Sequence, residues 1–256
     1  MKFALASDLH LHFGNLFLEN TENADVLILA GDIYEAVDLP GHHLEHSRIK
    51  SFFLDIASKF KEIIWVAGNH EHYGSTYPES HNIIRNWLSG DSRLSNIKFM
   101  EKEVVEYGDT RVLCSTLWAS MRNGDPLVMH NAKSGMSDYG QIYNWSPTHE
   151  LKEHRDSLKW LEDNLDPTKK NLIVTHHHPC WMSVQPQYRS GLLQYNFYSE
   201  LSEWILDNPS IKFWCAGHIH ENIKYNVGEC TVLCNPRGYH GYEPRTKMFK
   251  LEYFDL

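Results

Sequence analysis

Paired cysteine motifs are missing. The five cysteines, Cys114, Cys180, Cys215, Cys230 and Cys234, are odd in number and form no CxxC pair, which argues against a disulfide scaffold and a thiolate zinc site. Four of them (all but Cys180) lie in apolar runs, where a free thiol behaves as a small hydrophobe. Long apolar runs are missing too. None could cross a bilayer, and the opening MKFALASDLH is too short in apolar residues for a signal-peptide core. The expected location is the cytoplasm, with no membrane partner. Basic residues are in deficit, 24 Lys and Arg against 33 Asp and Glu for a net charge of −9. Without a Lys/Arg stripe, this balance argues against a broad nucleic-acid surface. Internal repeats and low-complexity tracts are absent. What is plentiful is histidine, 17 in 256 residues, the commonest metal ligand and acid–base side chain.

A chain of this length suits a single α/β domain over 1–256. Short, nearly continuous apolar runs recur: FALAS (3–7), VLILAG (26–31), IIWVAG (63–68), RVLCST (111–116), LIVTH (172–176), KFWCAG (212–217) and CTVLCN (230–235). Such runs read as strands buried on both faces. Helical spacing lies between several of them, over 47–60, 80–90, 147–165 and 197–208, the last with Ser199 as a possible N-cap. Around 97–116 the pattern becomes strand after strand, turning near YGD (107–109) as a hairpin does. Residues 117–146 fit neither period and read as a lid or loop insertion.

Five of the apolar runs end in the same kind of residue. FALAS leads to Asp8 and His10, VLILAG to Asp32, IIWVAG to Asn69, His70 and Glu71, LIVT to His176, and KFWCAG to His218 and His220. Ligands of open α/β sheets bind outside the carboxyl ends of the strands, so these side chains can converge. Two carboxylates, an amide oxygen and several imidazoles form a mixed N/O set suited to Mn²⁺, Fe or Zn²⁺. Two such ions repel each other, and Asp32 is the natural bridging anion. Glycine before Asp32, Asn69 and His218 would let the backbone turn sharply at the strand ends.

Taken in order, SDLH (7–10), AGDI (30–33), AGNHE (67–71), THHHP (175–179) and AGHIH (216–220) closely resemble the signature of the calcineurin-like metallophosphoesterases. The resemblance covers nearly the whole chain. It implies an α/β fold of two mixed β-sheets packed as a sandwich and flanked by helices, four layers αββα. It also implies two divalent or trivalent metal ions. Asp8, His10 and His220 would hold the first; Asn69, His176 and His218 the second; Asp32 would bridge them. His70 would bind no metal but protonate the leaving oxygen or stabilise charge on the phosphoryl group, with Glu71 orienting it. A hydroxide bridging the metals would attack phosphorus in line. Of the three consecutive histidines, His176 follows the strand directly, His177 is the alternative in a shifted register, and His178 could touch substrate or solvent.

The expected activity is therefore phosphoester hydrolysis on a small phosphorylated substrate, with a phosphodiester favoured. A phosphomonoesterase or protein phosphatase is the first alternative, a non-catalytic metal-binding scaffold the second. A zinc hydrolase of the metallo-β-lactamase kind would need His-x-His-x-Asp-His, which the chain lacks. Protein partners are left open. Substrate choice would rest on 117–146 and 181–196. Arg237, Arg122 and Arg189 are candidate phosphate contacts. His12, His42, His43, His46, His72, Tyr73 and His81 are candidates for the rim. Tyr139, Tyr143 and Trp145 could form an aromatic wall.

Overall fold

The computed structural model describes residues 1–41 and 44–256. In chain order the strands are β1 (Lys2–Ala6), β2 (Val26–Ala30), β3 (Glu62–Val66), β4 (Ile97–Phe99), β5 (Glu103–Tyr107), β6 (Thr110–Cys114), β7 (Lys170–Val174), β8 (Ile211–Ala216), β9 (Ile223–Val227), β10 (Cys230–Cys234) and β11 (Glu252–Asp255). The helices are α1 (Leu44–Lys59), α2 (Tyr77–Ser89), the single turn α3 (Met121–Gly124), α4 (Pro126–Gly135), α5 (Asp138–Gln141), α6 (Pro147–Asn164) and α7 (Ser202–Asp207).

The strands form two sheets, in the orders β11-β1-β2-β3-β4 and β5-β6-β7-β8-β10-β9. The inner strands of both run parallel, and an antiparallel strand closes an edge: β11 on the first sheet, β5 and β9 on the second. Side chains alternate across a strand. Phe3, Leu5, Val26, Ile28 and Val66 face Val112, Leu172, Val174 and Cys215 of the other sheet across one core. On the outer face of the first sheet, Ala4, Leu27, Leu29 and Trp65 pack beneath Phe53 and Ile56 of α1 and Ile84 of α2. On the outer face of the second, Leu113, Ile173, Trp214 and Val232 pack beneath Leu161 of α6 and Ile205 of α7. This is the four-layer sandwich, and burial on both faces explains the unbroken apolar runs.

Two local expectations change, and two strands were not anticipated. The helix expected over 197–208 is only Ser202–Asp207, and Ser199 does not cap it. The buried Ser199 hydroxyl instead accepts the backbone N–H of Ser120 at 2.9 Å. The stretch 117–146 holds a ten-residue helix, α4, with the Asp125 carboxylate accepting the N–H groups of Leu127 and Val128. β9 and β11 are half-exposed edge strands without a continuous apolar run.

Candidate metal centre

β1, β2, β3, β7 and β8 all release the chain at the same edge of the sandwich, and the five motifs begin there. Four of the expected ligands have a left-handed backbone: Asp8 (φ 49°), His10 (φ 41°), Asp32 (φ 57°) and His218 (φ 66°). Such a conformation costs roughly 1–3 kcal/mol per residue and persists only where surrounding bonds enforce it. Those bonds are present. Asp8 N–H donates to Gly31 O at 2.9 Å and His10 N–H to Asp32 O at 3.0 Å. The N–H groups of His218 and His70 donate to the carboxylates of Asp8 (2.8 Å) and Asp32 (2.9 Å). The motif glycines act partly by getting out of the way. A β-carbon on Gly31 would lie 2.3 Å from His176 Nδ1, and one on Gly68 would lie 2.2 Å from Asp32 Oδ1. Only Gly31 of these two needs a positive φ; Gly68 is there for close approach.

The side chains converge. Three sets of donor atoms each fall within 4.8 Å of one another: Asp8, His10 and His220; His10, Asp32 and His70; Asp32, His176 and His218. Asn69 joins the third set, its Oδ1 lying 3.1 Å from both His176 Nε2 and His218 Nδ1. Asp32 is shared, with Oδ2 3.7 Å from His10 Nε2 and Oδ1 3.5 Å from His176 Nε2. His10 Nε2 and His220 Nε2 face each other at 3.1 Å. All seven expected ligands and His70 therefore line one centre.

The residues fit metal ions. Asp8 Oδ2 and His218 Nε2 are buried without a hydrogen-bond partner, and each such group costs about 1–3 kcal/mol if left unmet. His176 Nδ1 donates to Ala30 O at 2.9 Å and His220 Nδ1 to Glu243 at 2.6 Å. Both rings thus turn Nε2 inward, as a metal-binding imidazole requires. Burial drives His10 and His218 well below the ordinary imidazole value, which leaves them neutral with free lone pairs. Burial also works against a proton on His176, but the Asp32 carboxylate overcomes it and lifts that imidazole to about 10. Asp32 in turn stays well below the usual carboxylate range: burial would raise it, and His176 and His70 outweigh that.

Other expected residues lie elsewhere. Glu71 makes no bond to His70. Its carboxylate accepts the N–H groups of Asp32 (2.9 Å), Ile33 (2.7 Å) and Gly68 (2.7 Å) and the indole of Trp65 (3.2 Å), so it ties two motif loops together. His177 sits behind His218 with ring centroids 4.2 Å apart, and His178 is fully buried and touches no solvent. Arg237 is buried, donating to the carbonyls of Leu9, Gly14 and Asn15, far from a phosphate role. Arg122 lies over Tyr195 and Arg189 over Trp181. His72 and His81 are buried against each other. His46 lies in α1, and His42 and His43 lie outside the described residues. Trp145 packs on Trp118 and Tyr77, Tyr139 bonds Glu150, and Tyr143 is exposed.

A cavity of about 620 Å³ opens over the centre. Its floor includes Asp32, Asn69, His70, His218 and His220. Gly135–Asp138 form one wall, Val184, Gln185, Tyr188 and Phe197 another, and Tyr239 and Glu243 a third. Among the described residues no lysine or arginine lines it. Asp138, Tyr239 and Glu243 were not found by motif reading, for they stand in no fixed spacing to the residues they meet. Tyr239 packs beside the centre, its ring tilted 40° to that of His10 at 4.4 Å and edge-on to that of His220 at 4.6 Å.

Comparison with known proteins adds four findings. Residues 1–222 match the family model described as calcineurin-like phosphoesterase. An uncharacterized protein of Acanthamoeba polyphaga mimivirus is 27% identical over 266 residues, spanning 91% of this chain and 89% of that protein. The 3',5'-cyclic adenosine monophosphate phosphodiesterase CpdA of Escherichia coli is 26% identical over 113 residues, 41% of this chain and 38% of its own length. Among solved structures, phosphopantetheinyl hydrolase from Mycobacterium tuberculosis shares the fold, with a TM-score of 0.67 at 16% identity over 93% of this chain and 89% of that one.

Proposed function

The chain belongs to the calcineurin-like phosphoesterase family, metal-dependent hydrolases of phosphoester bonds, and we propose that it cleaves a small phosphodiester, with His70 assisting the leaving group. The observation that carries the diester preference is the cavity lining. Among the described residues it offers no lysine or arginine, while Asp138 and Glu243 add carboxylates. A phosphomonoester dianion brings one more negative charge than a diester and finds no lysine or arginine among the described lining residues to offset it. The apolar and aromatic walls, with Met136, Val184, Tyr188, Phe197 and Ile219, suit two uncharged ester substituents. The partial match to CpdA, a cyclic-nucleotide phosphodiesterase by name, points the same way.

In this reading Asp8, His10 and His220 would hold one metal and Asn69, His176 and His218 the other, with the Asp32 carboxylate available to both. Bound metals of this kind supply Lewis acidity and an activated water near neutral pH. The N/O donor set suits Mn²⁺, Fe or Zn²⁺. His70 has a different task. Its side chain is 16% exposed on the cavity floor, its ring lies 4.2 Å from Tyr73 and 4.7 Å from His10, and its Nε2 is 3.9 Å from Asp32. Held between two rings yet open to the cavity, it delivers a proton to the departing alkoxide. We take 1–256 as one domain, with 117–146 as the insertion that walls the site. No helix among the described residues is long and apolar enough to cross a membrane. The five buried, unpaired thiols suit a reducing cytoplasm.

The test strips the protein with chelator, restores Mn²⁺, and compares an aryl phosphodiester with the matching monoester. The expected result is a kcat/KM for the diester at least about tenfold higher, a difference of about 1.4 kcal/mol in transition-state binding. A monoester preference would overturn the diester reading.

A further inference from the structure

The wall of the cavity and the floor of the metal centre meet at one side chain, Asp138. It is the first residue of α5, and the residue before it, Ser137, makes no side-chain cap to that helix. Asp138 Oδ1 accepts Asn69 Nδ2 at 2.8 Å and the Tyr73 hydroxyl at 2.7 Å, and Asn69 Nδ2 also donates to the Tyr73 oxygen at 3.3 Å. Asp138 and Asn69 are both buried. The surrounding backbone holds this contact in register, for Gly74 N–H donates to Gln141 O at 2.9 Å and Tyr143 N–H to Ser75 O at 2.7 Å.

A primary amide has two ends of nearly equal shape, so packing alone does not decide which end faces inward. Hydrogen bonding decides it. An ionised carboxylate only accepts, and so it holds the NH₂ end of Asn69 outward. Asn69 Oδ1 is then left facing His176 Nε2 and His218 Nδ1, 3.1 Å from each. We propose that Asp138 is a positioning residue that fixes the amide of Asn69 with its oxygen toward the second metal subsite. The contact spans 69 positions of sequence and comes from the segment that forms the cavity wall at Gly135–Ser137. This inference rests on the reading of Asn69 as a metal ligand.

The test is calorimetric titration of Mn²⁺ into chelator-stripped protein, with circular dichroism to verify the fold. The variants are Asp138→Ala, Asp138→Asn and Asn69→Ala, and the double variant Asp138→Ala/Asn69→Ala. Asp138→Ala is expected to weaken the second metal by about 10–100-fold and leave the first unchanged, the range typical of partners that orient a ligand. Asp138→Asn keeps an oxygen that can accept from Asn69 and Tyr73, so it should restore most of that affinity. In the Asn69→Ala background, Asp138→Ala should add less than about a twofold change, because coupled residues are not additive. Asp138→Ser, too short to reach Asn69, is the second truncation if the alanine variant does not fold, and should show the same loss. Wild-type binding of both metals by the truncated variant, or an additive loss in the double variant, would overturn the proposal. If Asn69→Ala itself retains both metals, the ligand assignment fails first. If it loses one while Asp138→Ala loses none, only the present inference fails.

Discussion

The imidazole of His220 is held from both sides, with Nδ1 donating to Glu243 Oε1 at 2.6 Å and Nε2 3.1 Å from His10 Nε2. Glu243 also accepts the backbone N–H of Tyr239 at 2.9 Å, so the loop that walls the cavity is fastened through the same carboxylate. A carboxylate behind a ligating imidazole fixes its tautomer and strengthens it as a donor. Glu243→Ala should therefore weaken one of the two metals by about 10–100-fold, and Glu243→Gln by less. Metal titration of the stripped variants measures this. An unchanged affinity in Glu243→Ala would show that His220 does not depend on this contact.

Glu71 gives a prediction about stability. Three backbone N–H groups, those of Asp32, Ile33 and Gly68, end on its buried carboxylate. Glu71→Ala strands them without a partner and should cost about 3–5 kcal/mol, given about 1–3 kcal/mol for each buried unmet donor and some relaxation. Urea unfolding of the metal-free protein reads this directly. A loss under about 1 kcal/mol would mean that water replaces the carboxylate.

Gly68→Ala separates folding from metal binding. The added β-carbon would sit 2.2 Å from Asp32 Oδ1 and 2.7 Å from the His176 ring. Either the shared carboxylate or the loop must move. Overpacking of this kind costs about 1–3 kcal/mol, so the variant should fold with a modestly lower Tm while its affinity for both metals drops. Metal content after purification, set beside a thermal melt, tests it. Full occupancy of both subsites would contradict the shared role of Asp32.

The candidate ligands were legible in the sequence because the strands that carry them are buried on both faces. Each leaves an unbroken apolar run that stops where the site begins, as VLILAG stops at Asp32. Glu71 was found but given the wrong neighbour, since its partners at Asp32 and Ile33 are set by how two loops meet in space. Asp138 and Glu243 left no mark: they lie 69 and 23 positions from Asn69 and His220, at no recurring spacing. Glu243 also lies beyond the stretch 1–222 that the family model matches. α4 was passed over because only Val128 and Ala132 of its face are buried, in a small cluster apart from the main core. So thin a stripe barely registers as a helical period.

Glu150 sets a pH dependence. It is buried in α6, accepting the Tyr139 hydroxyl at 2.6 Å. Burial pushes its carboxyl from an ordinary 4.5 up to about 8, against the pull of that hydroxyl. Between these values the folded protein keeps a proton that the unfolded chain releases, so this contribution to stability falls as pH rises from 4.5 to 8 and is level outside that window. At about 1.4 kcal/mol per pH unit, the effect across the window is roughly 5 kcal/mol at most. Glu150→Gln should remove it. Denaturation series at pH 5 and pH 8.5 should show the variant gaining on the wild type at the higher pH, and parallel profiles would refute the assignment.

The central claim is that this centre works as a pair of metal subsites sharing Asp32. The most direct measurement adds Mn²⁺ stepwise to stripped protein while hydrolysis of an aryl phosphodiester is followed, for the wild type, Asp32→Ala and His70→Ala. Activity should saturate at two equivalents in the wild type and be absent from Asp32→Ala. In His70→Ala it should fall by about 10²–10⁴-fold, the usual range for a lost general acid, with two metals still bound. Full activity at one equivalent, or turnover that survives in Asp32→Ala, would contradict it.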